Sequence, residues 1–385
     1  MSGRKGKLAV AVVGLGFGGE FATIYRDHPE VDRVILCDQD ERRLNDYGDA
    51  FGFADRRTDF RELLSDQEID AIHIVTNIHS HAQLAIQALR AGKHCASTVP
   101  MATTLAELEQ LVRVQESCGR NYMMMETSVL TSQCLYAKSL IDQGKVGNIQ
   151  YLRGTHFQDM EGWPDYWMGL PPMHYSTHAL APLLYLSGHR AAKVHCFGSG
   201  TMRKELVEKY GNPYPVEMAI FQLEDGFLAA EVARSLFHTA REYVEGFSIY
   251  GDQMSMEWNL ENEMPYLFEF LPNPEMRRGR DIKTSHTILT DFSGLLPEPI
   301  RKYTSTHTIL DSKNPHLSIQ QGGGHHGSHP HLVHEFIRSI IEERAPMIDA
   351  RTAANWTAAG ICAHESAMRN GEVIDIPKFN SDKRG

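Results

Sequence analysis

The chain of 385 residues has only six cysteines and no CxxC spacing among them. Scattered singly at Cys37, Cys95, Cys118, Cys134, Cys196 and Cys362, they make neither a zinc ribbon nor a redox pair, and read as reduced thiols of a cytoplasmic protein. No apolar run approaches the roughly 20 residues that span a bilayer, so no membrane partner is expected. A basic excess is missing as well: 38 Lys and Arg stand against 49 Asp and Glu, giving a formal charge of −11. With the two signs interspersed there is no footprint for a phosphate backbone, and nucleic acid is not an expected partner. Internal repeats are absent. The opening MSGRKGKLAVAVVG carries basic residues, but its short apolar run continues into a glycine-rich turn, so it reads as a first strand rather than a secretion signal.

What is present is a soluble globular composition, 42% hydrophobic and 23% charged, at a length that suggests two domains. The first third alternates apolar runs of strand length (Leu8 to Val13, Val31 to Cys37, Ala71 to Thr76, His94 to Ser97, Tyr122 to Glu126) with stretches such as HAQLAIQALRAG, apolar at helical spacing and closed by glycine. Such alternation predicts crossover units on a parallel sheet. After Glu126 the rhythm changes. A helix over Leu130 to Gln143 precedes long β-branched and aromatic runs, with Glu-Asp-Gly and Gly-Asp-Gln turns that predict hairpins and a mostly antiparallel sheet. HLVHEFIRSIIEER and ARTAANWTAAGICAHESAMRNG close the chain as helices, and residues 272–324, rich in Gly, Pro, Ser and Thr, read as long loops. The expected class is α/β: a doubly wound Rossmann domain over 1–127, then an α/β domain over 128–385 with a large, open, mostly antiparallel sheet and closing helices that pack back toward the first domain.

VVGLGFGGEF sets Gly14, Gly16 and Gly19 in GxGxxG spacing, directly after the first strand and at the start of a helix, with Phe17 and Gly18 inside the turn. Glycines there allow a tight turn, close approach of a pyrophosphate and helix–strand packing, while the helix N-terminus offers amide donors. Asp38, 19 residues past Gly19 at the end of the second strand, is placed to accept from an adenosine ribose. The acidic run Asp38, Gln39, Asp40 favours NAD over NADP, against which Arg42 and Arg43 stand nearby.

TNIHSHAQLAIQALRAGKHCASTVP resembles the Gfo/Idh/MocA family of NAD(P)-dependent oxidoreductases through Thr76, Asn77, His81, Ala91, Gly92, Lys93, His94 and Pro100. The resemblance runs over nearly the whole chain. It implies cofactor contacts from Thr76, Asn77 and His81, a sugar or polyol bound where the domains meet, and a homo-oligomer, dimer or tetramer, built through the C-terminal sheet. The departure comes at the chemistry. Where the family has Glu-Lys-Pro this chain has Thr98, Val99 and Pro100, so the lysine that helps move the hydroxyl proton is gone. Tyr175, Thr177 and His178, with Met123 to Glu126 and Gly324 to Ser328, are instead similar to a branch containing NAD-dependent glycosidases.

His178 is accordingly the expected base, with an unperturbed pKa near 6.5 suited to taking a hydroxyl proton. Tyr175 is a relay or a packing ring. Glu126, after the last parallel strand, is a catalytic carboxylate or a capping acid. His174, His156 and Trp163 are expected substrate contacts, as are His325 and His326 of the histidine-rich turn, with Tyr166 and Trp167 as further aromatic faces. The five histidines from His325 to His334 fit no common zinc spacing, and no metal is expected. Three functions compete: a dehydrogenase acting on a hydroxyl of a sugar, polyol or glycoside; a redox glycosidase that passes through a 3-keto intermediate and elimination with no net redox change; and a nucleotide-binding regulator without turnover.

Overall fold

The computed structural model describes residues 6–164, 168–237, 243–259, 264–272 and 279–379. The chain divides into two compact units, Met1–Leu130 with Asp291–Ala354, and Thr131–Thr290 with Asn355–Gly385.

The first unit begins with β1 (Leu8–Val13), α1 (Leu15–Asp27), β2 (Val31–Cys37), α2 (Glu41–Phe51), β3 (Arg56–Arg57), α3 (Phe60–Ser65), β4 (Ala71–Ile74), α4 (His81–Arg90), β5 (His94–Ser97), α5 (Leu105–Cys118) and β6 (Tyr122–Met124). The six strands form a parallel sheet in the order β3-β2-β1-β4-β5-β6. LAVAVV and AIHI are buried almost throughout, as strands covered by helices on both faces must be. Local signals set the helix ends. Asp40 caps α2, Thr104 and Glu107 form a capping box on α5, and Gly119 closes α5 in the left-handed region. Lys93, from the Ala-Gly-Lys-His run, is buried, and its ammonium donates to the carbonyls of Asp66 at 2.6 Å and Ile69 at 2.9 Å. It therefore pins the turn that leads into β4.

The second unit carries a nine-stranded sheet. Helix α6 (Ser132–Asp142) leads to β7 (Ile149–Gln158), then α7 (Thr177–Ser187), β8 (Ala191–Ser199), α8 (Lys204–Tyr210), β9 (Val216–Leu223), β10 (Ala229–Ser235), β11 (Tyr243–Gly251), β12 (Met254–Trp258), β13 (Tyr266–Leu271) and β14 (Asp281–His286). Their order is β14-β13-β12-β11-β7-β10-β9-β8-β17, where β17 is Ile374–Asp375. Among the described residues of this sheet, only β7 and β10 pair in parallel. The hairpin turns fall where Glu-Asp-Gly and Gly-Asp-Gln place them, between β9 and β10 and between β11 and β12. Along β7, β9 and β10 burial alternates, so one face is packed and the other open.

The stretch read as loops, 272–324, holds more structure than its composition suggests. It contains β14, the short helix α9 (Glu298–Arg301) and a two-stranded sheet of β15 (His307–Leu310) with β16 (Ser318–Gln321). All six residues of β14 are exposed, so its ladder to β13 leaves no apolar alternation to detect. Beyond it lie the one-turn segment α10 (Gly324–Gly327), α11 (His329–Ile341) and α12 (Ala350–Met368).

Candidate functional site

In the first unit the glycine turn has the shape a dinucleotide needs. Gly14 sits at φ 89°, where a side chain would be strained, and a Cβ there would overlap the Val75 carbonyl. Gly16 has nothing within 4 Å of where its Cβ would stand, which leaves room for a pyrophosphate at the N-terminus of α1. Helix–strand contact falls to Gly18, whose missing Cβ would meet Val12 and Val75 at 3.2 Å, while Gly19 lies under the Tyr47 ring. Asp38 is nearly buried, and its Oδ2 accepts the Leu15 amide at 2.8 Å and faces Arg43 Nη1 at 3.4 Å. A carboxylate so oriented at the end of β2 fits a ribose diol.

Thr76, Asn77 and His81 are used to build the neighbouring turn. Asn77 Oδ1 accepts from the Ser80 amide, and the Thr76 hydroxyl lies 2.7 Å from that of Ser80. His81 is buried, with Nδ1 at 2.9 Å from the Pro100 carbonyl and Nε2 at 3.2 Å from that of Thr76. It links the Thr76 turn to the Thr98-Val99-Pro100 turn: the neutral ring donates to one of these carbonyls, and the Thr98 hydroxyl lies 3.3 Å from Nε2. Val99 is buried and presents no titratable group where the family lysine would be.

Glu126 is buried, and its Oε1 accepts from the Ser128 amide at 3.0 Å and the Ser128 hydroxyl at 2.8 Å. This is the bonding of a capping acid for the turn that follows β6.

The histidine-rich turn is strained. His325 and His326 both take positive φ, 42° and 53°, between Gly323 and Gly327 that do the same. The twist sets the His325 ring 6.1 Å from that of Phe17 in the glycine turn. His329, buried at the start of α11, lies 3.1 Å from the Glu20 carboxylate of α1 and packs on Phe21. The other two histidines of the run go elsewhere: His334 Nδ1 lies 3.0 Å from His28 Nε2, and burial lowers His331 to about 4. No group of three or more His, Cys, Asp or Glu side chains among the described residues is arranged to hold a metal.

The second unit gathers the catalytic candidates at the start of α7. Gly154 on β7 allows this, since a Cβ there would overlap the Ala179 carbonyl and push the helix off the sheet. Two residues along the same strand face, His156 is fully buried with its ring 5.1 Å from that of His178. The Tyr175 hydroxyl lies 3.3 Å from His178 Nε2. Pro182, inside α7, has no N–H to give the His178 carbonyl, which loosens the first turn of the helix. The buried Thr177 hydroxyl has no partner among the described residues. His174 stands edge-on to His364 of α12 at 5.3 Å between ring centres. Trp163 is half-buried after β7, its amide donating to the Met160 carbonyl. Tyr166 and Trp167 lie outside the described residues.

Three residues of this cluster were missed in the sequence. Arg234 is fully buried on β10, donating from Nε to the Tyr175 carbonyl at 2.8 Å and from Nη2 to Gln158 Oε1 at 2.6 Å. Glu217, buried on β9, accepts the Met173 amide at 2.9 Å and lies 2.7 Å from His364 Nδ1. Glu245 on β11 is buried opposite His156. The signal was parity. Glu217 shares the inward face with Ala219, Phe221 and Leu223, and Arg234 with Ala230 and Val232. A charge in such a row breaks the alternation, and charges placed against the core pattern mark functional sites.

Residues 8–126 match the family model described as the oxidoreductase family, NAD-binding Rossmann fold. Glycosyl hydrolase family 109 protein 1 of Bacteroides fragilis is 29% identical over 206 residues, 48% of this chain and 44% of that protein, so the chain matches less than half the length of this relative. Levoglucosan dehydrogenase of Pseudarthrobacter phenanthrenivorans is 24% identical over 324 residues, 76% of this chain and 81% of that protein. Among solved structures, a levoglucosan dehydrogenase in complex with NADH and levoglucosan superposes with a TM-score of 0.76 at 20% identity, over 97% of this chain and 100% of that one. Myo-inositol 2-dehydrogenase from Lactobacillus plantarum gives 0.72 at 17%, over 96% and 100%. At these identities the structures speak for the fold alone. The glycine turn, Asp38 and the strand order make residues 8–126 a Rossmann domain, and that domain is similar in sequence to the NAD-binding oxidoreductase family that the model describes.

Proposed function

We propose that this protein is an NAD-dependent oxidoreductase acting on a hydroxyl of a sugar, polyol or glycoside, with the Tyr175–His178 pair taking the place of the family lysine. The observation that carries the reading is the buried hydroxyl–imidazole contact of 3.3 Å in a chain whose Val99 can move no proton. Oxidation of an alcohol breaks the C–H bond, its electron pair leaving as hydride, while the O–H proton goes to a base and C–O becomes C=O. NAD bound at the glycine turn would supply the hydride acceptor. With His178 neutral and accepting at Nε2, the Tyr175 hydroxyl donates to it, so a proton reaching the phenolate passes on to the imidazole without a lysine. The preference for NAD over NADP rests on Asp38, whose carboxylate would repel a ribose phosphate.

A second reading is a redox glycosidase. It needs one more acid–base group than a dehydrogenase, because the C2 proton must be removed after C3 is oxidised. His156, its ring centre 5.1 Å from that of His178, is the candidate for that step, and the relatives named as family 109 glycosyl hydrolases favour this reading. We further infer a homo-oligomer, dimer or tetramer, through the open face of the nine-stranded sheet, where Phe197, Met218 and Ile220 stand exposed on the paired strands β8 and β9. Six free cysteines support a reducing, cytoplasmic setting.

The test is purified protein with a slight excess of NAD and a panel of free sugars and aryl glycosides, following NADH and aglycone together. NADH rising with substrate loss supports the dehydrogenase. Aglycone release over many turnovers without net NADH supports the glycosidase, and silence in both channels points to a substrate outside the panel or to a regulator.

A further inference from the structure

Four buried ionisable residues form a row across four adjacent strands of the second unit. Strand register places Glu245 of β11 opposite His156 of β7, His156 opposite Arg234 of β10, and Arg234 opposite Glu217 of β9. Each is at most 1% exposed. A row of charges under a helix start is costly to bury, and it persists only where its members are paired and hydrogen-bonded. Here the bonds run to the segment that carries Tyr175 and His178. Glu217 takes the Met173 amide and Arg234 the Tyr175 carbonyl, so the row fixes the backbone of residues 173–175 from below. Arg234 also donates to the His156 carbonyl at 3.1 Å and to the Ser235 carbonyl, and its guanidinium lies 5.6 Å from the centre of the Tyr175 ring. An arginine inside a sheet can satisfy its fork with carbonyls elsewhere; what is particular to Arg234 is that the same fork holds both the Tyr175 and the His156 backbones, while its charge lies against the phenol ring.

We propose that Arg234 is a positioning residue for the Tyr175–His178 pair: its fork sets the phenol against the imidazole, and its buried positive charge stabilises deprotonated Tyr175, which makes the phenol an acid in the reaction's pH range. A cation within about 6 Å of an aromatic ring is drawn to it, and desolvation strengthens the attraction. Burial in turn pulls Arg234 down to about 10, against which Tyr175, Tyr243 and Glu245 act. Among the described residues, His178, His156 and Arg234 lie against Tyr175 itself. Behind them stand Gln158 on Arg234, Tyr243 and Glu245 beside His156, and Glu217 with His364, so that Arg234 is the one guanidinium or ammonium among these groups. The inference rests on the reading of Tyr175 as a proton carrier, but its central claim concerns one phenol and can be measured without substrate or turnover.

The experiment is carbon-13 NMR of the full chain labelled at tyrosine Cζ, with the Tyr175 signal assigned by its loss in Tyr175→Phe. The expected midpoint in the native protein lies below the ordinary tyrosine value of about 10. It should rise by about one pH unit or more in Arg234→Gln and stay low in Arg234→Lys, which keeps the charge and loses the fork. Arg234→Lys should still lower kcat with little change in KM, because the phenol is then ionisable but misplaced. An unchanged midpoint in a folded Arg234→Gln overturns the proposal. Should neither variant fold, a native midpoint above about 10 overturns it equally, and one below supports it. A low midpoint in a protein inactive on every sugar would leave Arg234's role intact and count against the proposed function instead.

Discussion

The Tyr175 hydroxyl sits 3.3 Å from His178 Nε2, the two residues one turn apart where a short 3₁₀ segment hands over to α7. Residues three apart are neighbours on one helical face, and Ser176 adjusts the backbone between this pair, with φ −97° and ψ 0°. The segment that leads into the pair is held from beneath by Glu217 and Arg234, which bond the Met173 amide and the Tyr175 carbonyl.

If the pair works as a unit, its removal is not additive. His178→Gln should lower kcat by about two to four orders of magnitude, Tyr175→Phe by a comparable factor, and the double variant by no more than about tenfold beyond the worse single one. Dissociation constants for NAD, read by nicotinamide or tryptophan fluorescence, should stay within about threefold of the parent. Full additivity in kcat would mean that the two residues serve separate steps.

Gly14 and Gly16 should fail in different ways. Gly14→Ala must place a methyl in the Val75 carbonyl at a left-handed φ, and should cost stability of about 1–3 kcal/mol, seen as a lower Tm without ligand. Gly16→Ala meets no protein atom, so its Tm should not change. NAD binding to that variant should nevertheless weaken about tenfold or more, because the methyl fills space a pyrophosphate needs. Equal Tm losses in the two variants would refute the assignment of Gly16 to the ligand.

Coenzyme choice should turn on Asp38 and Arg43. Shortening the carboxylate in Asp38→Ser removes the repulsion of a ribose phosphate and releases Arg43, now 3.4 Å away, to meet one. The ratio of kcat/KM for NADP to that for NAD should rise about tenfold or more, and Arg43→Ala in the same background should reverse the gain. A ratio that does not move would remove Asp38 from the ribose site.

Acid should unfold the first unit early. Burial lowers His28 and His94 to about 4 and His73 to about 3, so the folded state keeps them neutral while the unfolded chain protonates near 6.5. Because the unfolded state binds more protons in this window, stability is full above about pH 6.5 and falls as the pH drops toward 4. His28 alone would account for a few kcal/mol at the bottom of that range, on the order of 3 kcal/mol. Thermal scans from pH 8 to pH 4.5 should show Tm falling below about pH 6.5, and His28→Gln should flatten the fall. A Tm constant over that range would place these rings in contact with water.

The parallel sheet was readable because each of its elements advertises itself locally. LAVAVV, VDRVILC and HCAS became strands with the boundaries their apolar runs suggest, and the GxGxxG turn and Asp38 fall where crossover geometry requires. The hairpins of the second unit followed from their turns in the same way. By contrast, β14 is exposed throughout, and β15 and β16 are four-residue strands whose covered face is only half-buried apart from Gln321, so apolar alternation could not reveal them.

At the site, the resemblance and the motif spacing named Tyr175, His178 and His156 as candidates and marked Val99 where the family has lysine. They also placed Gly14 and Gly16 in a turn of dinucleotide-binding type. What they could not show is which side chains are already engaged. Glu126 caps the turn after β6, His81 lies against the Thr76 and Pro100 carbonyls, and His329 pairs with Glu20, contacts that the spacing of the motifs does not state. The row Glu245, His156, Arg234 and Glu217 is the clearest case. Its members lie on four strands separated by up to 89 positions, and only strand register brings them side by side. Backbone propensity and turn chemistry are local, so the sequence determined the sheets and the cofactor turn. The charge beneath Tyr175 depends on long-range pairing, and tertiary structure alone decided it.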